Sequence, residues 1–387
     1  MSLTRRANGE GTVYKRQDGR WEGAAFVLTS AGVRERRRVY GRTREEAHRA
    51  VTKLVRQSHQ GLPVAATAQS VEQYLTYWIN EVARHRVRPL TFRTYEMFVR
   101  EHLIPGLGKK RLHRLTARDI RLFLNSKREV SSRSPGNEAK PLAPRTIFHL
   151  HAVLRNALEH AVREDLLPRN VARQVQVSPG RGPDVSPLTV DEAHRLLAAA
   201  TSDRLYALYA VSLSLGLRRG EALGLPWSNV DLDGQILRIR QTLQRFDGQL
   251  HFAPPKTRRS ERSIPLPDEL KQVLLDHRAR QEVERAAAGL QWKESGLVFT
   301  TMIGTPIEPN ELSRYFRVLA AKVGLSNVRL HDLRHTCASM LLAQGVPPRV
   351  VMEILGHSSL DVTMNIYGHV MLDAQRDALR GMGGLLR

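Results

Sequence analysis

Residues 331–370 read HDLRHTCASMLLAQGVPPRVVMEILGHSSLDVTMNIYGHV, and their spacing leaves little choice of local fold. His331, Arg334 and His335 stand at i, i+3 and i+4, on one face of a helix, while Leu333, Cys337, Met340 and Leu341 form an apolar stripe on another. One face is expected to pack and the other to be open for chemistry. Gly345 suits the C-cap of that helix, Pro347 and Pro348 suit the first turn of the next, VPPRVVMEIL, and Gly356 ends it. A third short helix is expected to carry Tyr367. Tight turns would then gather two histidines, an arginine and a tyrosine into a cationic pocket with a phenol at its edge. A phenol, with an unperturbed pKa near ~10, is a poor nucleophile unless cations stabilise the phenolate or a base takes its proton. This pocket offers both.

Charge indicates the partner. Lys plus Arg number 60 against 38 Asp plus Glu, a net +22 spread along the chain, which suggests a polyanion. A basic protein drawn to anionic membranes is the competing reading, but no apolar run reaches bilayer length; LYALYAVSLSLGL is the length of a buried core helix. MSLTRRANGEG has charge but no apolar signal core. The one cysteine, Cys337, excludes an intrachain disulfide and fits a reducing cytosol, so a cytoplasmic location is expected.

The pattern predicts an α+β multidomain chain with domains at residues 1–61, 70–175 and 186–387. In the first, GTVYKRQ, RWEGAAFVL and VRERRRVYG read as three short antiparallel strands separated by turns at Asp18-Gly19 and near residues 30–32. Thr43 and Glu46 make a capping box for the helix TREEAHRAVTKLVRQSHQ, which Gly61 closes. This small unit holds 14 basic and 6 acidic side chains. Arg34, Arg36, Arg37 and Arg38, with Trp21 and Tyr14 interleaved, fit a sheet laid into a DNA groove; the alternative is an edge strand protected by charge. GLPVAATAQS reads as a linker. Four helical segments follow, SVEQYLTYWINEVAR, TFRTYEMFVREHLIPGLG, TARDIRLFLNSKRE and PRTIFHLHAVLRNALEHAVRED, the last two separated by a polar loop. Arg93, Arg100, Lys109, Lys110 and Arg145 are candidate DNA-backbone contacts there, not separable by sequence from solvated surface charge. A second linker, QVSPGRGPDVSP, precedes a mainly helical third domain. It opens with TVDEAHRLLAAA, contains the buried helix RLYALYAVSLSLGL ending at Gly216, and includes a small antiparallel sheet from QILRIRQTLQR, QLHFAPP and RSIPLP.

HDLRHT, LGHSS and NIYGHV, in that order, resemble the C-terminal signature of the tyrosine recombinases, the phage integrase family. Two upstream blocks strengthen the match: LSLGLRRGEALGLPWSNVDL resembles the family's first-arginine box, with Arg218 and Glu221, and KTRRSERSIPL resembles its lysine turn, with Lys256. The resemblance implies a site-specific recombinase, integrating or excising a mobile element, in which Tyr367 attacks phosphorus and leaves a 3′-phosphotyrosyl bond and a free 5′-hydroxyl. Arg218 and Arg334 would neutralise the nonbridging oxygens, Lys256 would protonate the departing 5′ oxygen, His331 would serve as base and then acid, His357 would hydrogen-bond the phosphate, and Glu221 would orient the site. It also implies an arm-type DNA-binding domain at residues 1–61, a helical core-binding domain before the catalytic one, and a homotetramer on double-stranded DNA passing through a Holliday junction, with accessory DNA-bending and excision proteins as partners. No cofactor is expected, and the chain has no GxxxxGK[ST] loop. His331 and His335 at i, i+4 also spell a zinc pair, but HExxH is absent and Arg334 would set a positive charge beside the metal, so no metal is expected. A Xer-type resolvase or a relaxing topoisomerase shares the chemistry, and a noncatalytic DNA-binding regulator shares the charge; the six reactive positions together favour a recombinase.

Overall fold

The computed structural model describes residues 11–28, 34–59, 69–129, 141–180, 187–255 and 260–356. Several expected features lie outside them: Lys256, His357, Tyr367 and its short helix, Gly61, and most of both linkers. The chain forms two compact units, residues 1–182 and 183–387.

The first unit begins with an antiparallel sheet in the order β1 (Thr12–Lys15), β2 (Trp21–Leu28), β3 (Arg34–Gly41), covered on one face by α1 (Arg44–His59). Thr43 Oγ1 accepts the Glu46 amide at 3.2 Å, and the Glu46 carboxylate accepts the Arg42 amide at 2.8 Å, which starts α1 where the capping pattern places it. Register pairs Glu22 with Tyr40, Ala24 with Arg38 and Phe26 with Arg36, so strand alternation gathers Tyr14, Phe26, Arg36, Arg38 and Tyr40 on one face. Phe26 and Tyr40 are 62% and 51% exposed there, far more than a packed sheet face leaves uncovered. Arg37 and Trp21 alternate to the opposite face, paired with Ala25 and Gly41, so the run of arginines is divided between two faces. The side chain of Arg34 lies outside the described residues. Within the basic face Glu22 is buried and accepts Arg16 Nη1 at 2.9 Å; the hydrogen bond from Tyr14 is the first cause of its lowered pKa.

The same unit continues as helices. α2 (Val71–Tyr77) runs through a π-helical stretch, Trp78–Ala83, into α3 (Arg84–Arg86), and α4 (Pro89–Phe98) runs through a second, Val99–Leu103, into α5 (Ile104–Leu107). α6 (Ala117–Glu129) and the 20-residue α7 (Pro144–Arg163) complete it. Their apolar stripes meet in one core that includes Tyr74, Leu75, Trp78, Leu103, Ile120, Leu150 and Leu154. Each fully buried aliphatic or aromatic side chain there contributes about 1.5–3 kcal/mol relative to exposure. Among the candidate DNA contacts, Arg93 and Arg100 both pair with Glu96 at 3.0 Å and Lys110 pairs with Asp119 at 2.9 Å, while Lys109 and Arg145 are exposed.

The second unit opens with α8 (Val190–Ala199), begun by a reciprocal capping box between Thr189 and Glu192. α9 (Tyr206–Ser214) is apolar on every side and buried from Ala207 to Leu213, the expected outcome for a helix without a polar face. After α10 (Arg219–Leu223) the expected sheet divides in two. β4 (Val230–Asp231), β5 (Ile236–Ile239) and β8 (Arg262–Pro265) form one, and β6 (Thr242–Phe246) and β7 (Gln249–Ala253) form a separate hairpin. The stretch QILRIRQTLQR, one strand by alternation, breaks at residues 240–241, where Gln241 Nε2 donates to the Gly224 carbonyl at 2.8 Å. α11 (Asp268–Ala288), α12 (Pro309–Lys322), α13 (Asp332–Ala343) and α14 (Pro348–Leu355) follow. Thr336 of α13 fastens the start of the unit, its hydroxyl oxygen accepting the Leu188 amide at 2.9 Å. Among the described residues no helix is long and apolar enough to cross a membrane.

Candidate active site

Two long-range junctions place the arginines. α9 is stopped by Leu215 and Gly216, the latter at φ +62°, which turns the chain so that Arg218 stands immediately before α10 with its amide 3.0 Å from Glu221 Oε2. A Cβ on Gly216 would also lie 2.2 Å from Leu355 Cδ2, so both backbone conformation and space require glycine there. The Gly216 carbonyl then accepts Arg334 Nη1 at 2.6 Å.

The second junction is the C-terminal end of α14. The last carbonyls of a helix have no partner within it. Here three successive ones are taken by three different guanidiniums: Ile354 by Arg262 Nε at 2.6 Å, Leu355 by Arg334 Nη2 at 2.7 Å, and Gly356 by Arg218 Nη2 at 2.9 Å. Positive charge at a helix C-terminus is favourable in its own right. Gly356, at φ +65°, ends α14 in the left-handed conformation, and the next residue in the chain is His357.

Glu221 joins the cations. It is 1% exposed, and its Oε1 lies 2.7 Å from Arg218 Nη1 while its Oε2 lies 2.9 Å from Arg262 Nη2. Burial works against the charged carboxylate, but Arg262 and Arg218 outweigh it and hold its pKa below the ordinary range. Arg334 is 2% exposed; burial first, and Arg218 beside it next, lower its pKa to about 9, which leaves it charged at neutral pH.

His331 stands at the N-cap of α13, with its ring 5.0 Å from that of His335 and at 87° to it. It is exposed at the mouth of a cavity of about 600 Å³ lined by Arg219, Ser313, Arg317 and Arg329. Partial desolvation, then His335 and Arg334, push its pKa down to about 4; His335 is lowered as well, chiefly by burial. Both imidazoles are therefore neutral at pH 7, so His331 is able to accept a proton. Asp332 accepts the Arg329 amide at 2.8 Å and fixes the start of α13. Among the described residues no group of three or more His, Cys, Asp or Glu is placed to hold a metal ion.

The structure thus brings Arg218, Glu221, His331 and Arg334 into one cationic cleft, and places the chain leading to His357 against it. It corrects one expectation. The face shared by His331, Arg334 and His335 is open only in part: His331 is exposed, but Arg334 reaches inward to two backbone carbonyls from distant parts of the chain. Sequence reasoning missed Arg262. Its signal was alternation: in RSIP, Arg262 shares the inward face of β8 with the buried Ile264, an unusual place for a charge without a buried partner.

The sequence model of the phage integrase family matches residues 187–373, and that of the phage integrase N-terminal SAM-like domain matches residues 70–128. An integrase from Streptomyces ambofaciens is 30% identical, over 94% of this chain and 93% of its own length. The chain belongs to the phage integrase family. An integrase of Saccharopolyspora erythraea is 29% identical, over 97% of this chain and 96% of the relative. This phage integrase family member is accordingly a site-specific DNA recombinase of the tyrosine type. Solved structures agree in fold. The Tn1549 transposon integrase in complex with transposon right-end DNA superposes with a TM-score of 0.68 at 22% identity, covering 81% of this chain and all of that one. A lambda integrase from a tetramer bound to a Holliday junction gives 0.55 at 18% identity, covering 94% and 96%.

Proposed function

We propose that the chain cleaves and rejoins DNA through a 3′-phosphotyrosyl intermediate, with Tyr367 as the nucleophile. The observation that carries this reading is the convergence of Arg218 and Arg334 at the end of α14, beside a histidine held neutral. A phosphodiester resists attack because it is anionic, and two guanidiniums fixed in a partly desolvated cleft supply charge where it grows on the nonbridging oxygens. Tyr367 lies 11 residues beyond Gly356, a tether of at most ~40 Å when extended, which suffices to reach the cleft. The phenol passes its proton to His331 as its oxygen bonds to phosphorus; the 5′ oxygen leaves with a proton from Lys256; His357 hydrogen-bonds the phosphate. Attack by a 5′-hydroxyl of the partner strand reverses each step, returning the proton to tyrosine. Energy is kept in the phosphotyrosyl bond, so rejoining needs no nucleotide. Glu221 orients Arg218.

Residues 1–61 would bind arm-type sites through the sheet face bearing Arg36, Arg38, Tyr14 and Tyr40; residues 70–175 would grip core DNA; residues 186–387 would carry the chemistry. Four protomers, the number in the lambda integrase tetramer bound to a Holliday junction, would exchange strands in pairs between two core sites through such a junction, with accessory DNA-bending and excision proteins setting direction.

A nicked suicide substrate bearing the element's own attachment core tests this. Wild-type protein is expected to become covalently linked to the DNA 3′ end, seen as a shifted band under denaturing conditions, and Tyr367→Phe is expected to bind without linkage. DNA binding with no covalent product from either protein would overturn the assignment.

A further inference from the structure

Behind the two arginines assigned to the phosphate stands a third whose task the chemistry so far leaves open. The side chain of Arg262 is only 6% exposed. All three of its nitrogens are engaged: Nε with the Ile354 carbonyl at 2.6 Å, Nη2 with Glu221 Oε2 at 2.9 Å, and Nη1 with Glu221 Oε1 at 3.3 Å and the Ser260 carbonyl at 3.1 Å. With its guanidinium engaged by Glu221 and by two backbone carbonyls, Arg262 stands as a partner of the cluster rather than as one of the two arginines assigned above to the phosphate. It shares with Arg218 a single buried carboxylate, and with Arg218 and Arg334 a single helix end. Gly356 leaves room for it: a Cβ there would lie 2.9 Å from Arg262 Nη1.

The charges decide what this sharing does. Arg218, Arg262 and Arg334 bring three positive charges and Glu221 one negative, so the cluster carries a net two. A phosphodiester carries one negative charge in the ground state, and as the entering and leaving oxygens both bond to phosphorus that group gains a second. A net two positive charges match the transition state and exceed what the ground state uses, which is the condition for catalysis rather than mere binding. Without Arg262, Glu221 would have Arg218 as its remaining side-chain cation, and a buried carboxylate facing a guanidinium draws it into a two-pronged pair. The net charge would fall to one, and Arg218, already 2.7 Å from Glu221 Oε1 through Nη1, would be the carboxylate's one remaining counter-ion.

We infer that Arg262 is a positioning residue for strand cleavage: it shares the charge of Glu221 with Arg218 and ties the end of α14, so that Arg218, although it too touches Glu221 and the Gly356 carbonyl, keeps net positive charge for the scissile phosphate. This rests on the phosphotyrosyl reading above.

The test is single-turnover cleavage of the suicide substrate, once with a normal scissile phosphate and once with an uncharged methylphosphonate there, alongside DNA affinity and thermal melting. Arg262→Met is expected to slow cleavage of the normal substrate by roughly 10–100-fold, the usual effect of removing a group that orients a primary ligand, with little change in DNA affinity. Adding Glu221→Gln to Arg262→Met restores the net charge of two and is expected to recover much of the rate. On the methylphosphonate, whose transition state carries one charge fewer, the loss caused by Arg262→Met is expected to shrink. Arg262→Lys keeps the charge and is expected to lose less than Arg262→Met, and it carries the comparison where the methionine variant fails to melt cooperatively. Equal losses on the two substrates, or a further loss on adding Glu221→Gln, would show Arg262 to be structural only and overturn the inference. So would wild-type cleavage by Arg262→Met. If the wild-type protein itself gives no Tyr367-dependent covalent product, the phosphotyrosyl reading fails first, and the two failures are thereby distinguished.

Discussion

Partial desolvation, the His335 imidazole 5.0 Å away and the charge of Arg334 each oppose a positive charge on His331. The sign of the consequence is fixed: a base whose pKa is lowered stays in its proton-accepting form to lower pH. The pH profile of kcat/KM reports groups of the free enzyme. The acid limb assignable to His331 is therefore expected below the ordinary histidine value of about 6.5. Cleavage rates from pH 4.5 to 8.5, with His331→Gln as control, measure it; a limb at or above ~6.5 that disappears in the variant would contradict the neutral-base assignment. At this scale the sequence was informative about identity and less so about environment. Arg218, Glu221, His331 and Arg334 could be named from short blocks. That Arg334 is buried could not, because its partners Gly216 and Leu355 are 118 and 21 residues away, and periodicity within one helix says nothing of what another segment presents to it. The role of Arg262 was not legible, because its buried partner Glu221 is 41 residues away.

α14 is short, and most of its importance lies in its last turn. The start and stop of this element were legible because they are local: proline at the first turn and glycine in the left-handed conformation at the end. Its anchoring by arginines from β8, α13 and the junction before α10 was not. Gly356→Ala puts an L side chain into that conformation, at a cost of roughly 1–2 kcal/mol, and sets its Cβ 2.9 Å from Arg262 Nη1. The variant is expected to melt several degrees lower and to cleave more slowly than its loss of stability alone would cause, since the arginine ties are disturbed along with the helix end. A melting temperature and cleavage rate both equal to wild type would show that the helix end does not position the arginines. The sheets of the second unit teach the same distinction. Alternation located β5 through β8, but at the break between β5 and β6 Gln241 donates to the Gly224 carbonyl, a contact that no strand pattern encodes.

For the whole molecule, charge and order of blocks carried most of what could be read. A net +22 pointed to a polyanion, and the apolar run LYALYAVSLSLGL pointed to a buried core helix. The division of labour proposed for residues 1–61 is open to a direct check: removing them is expected to abolish binding to arm-type sites and to leave cleavage of a core suicide substrate close to the full-length rate. Loss of core cleavage on removal would place part of the reaction machinery in that module. The central claim concerns one atom, the phenolic oxygen of Tyr367, among nine tyrosines in the chain. The direct measurement is to trap the covalent complex on the suicide substrate, digest protein and DNA, and sequence the nucleotide-bearing peptide by mass spectrometry. The nucleotide is predicted on Tyr367, in the peptide containing TMNIYGHV, and joined through a 3′ phosphate. A nucleotide on any other residue, or a 5′ linkage, would contradict the account.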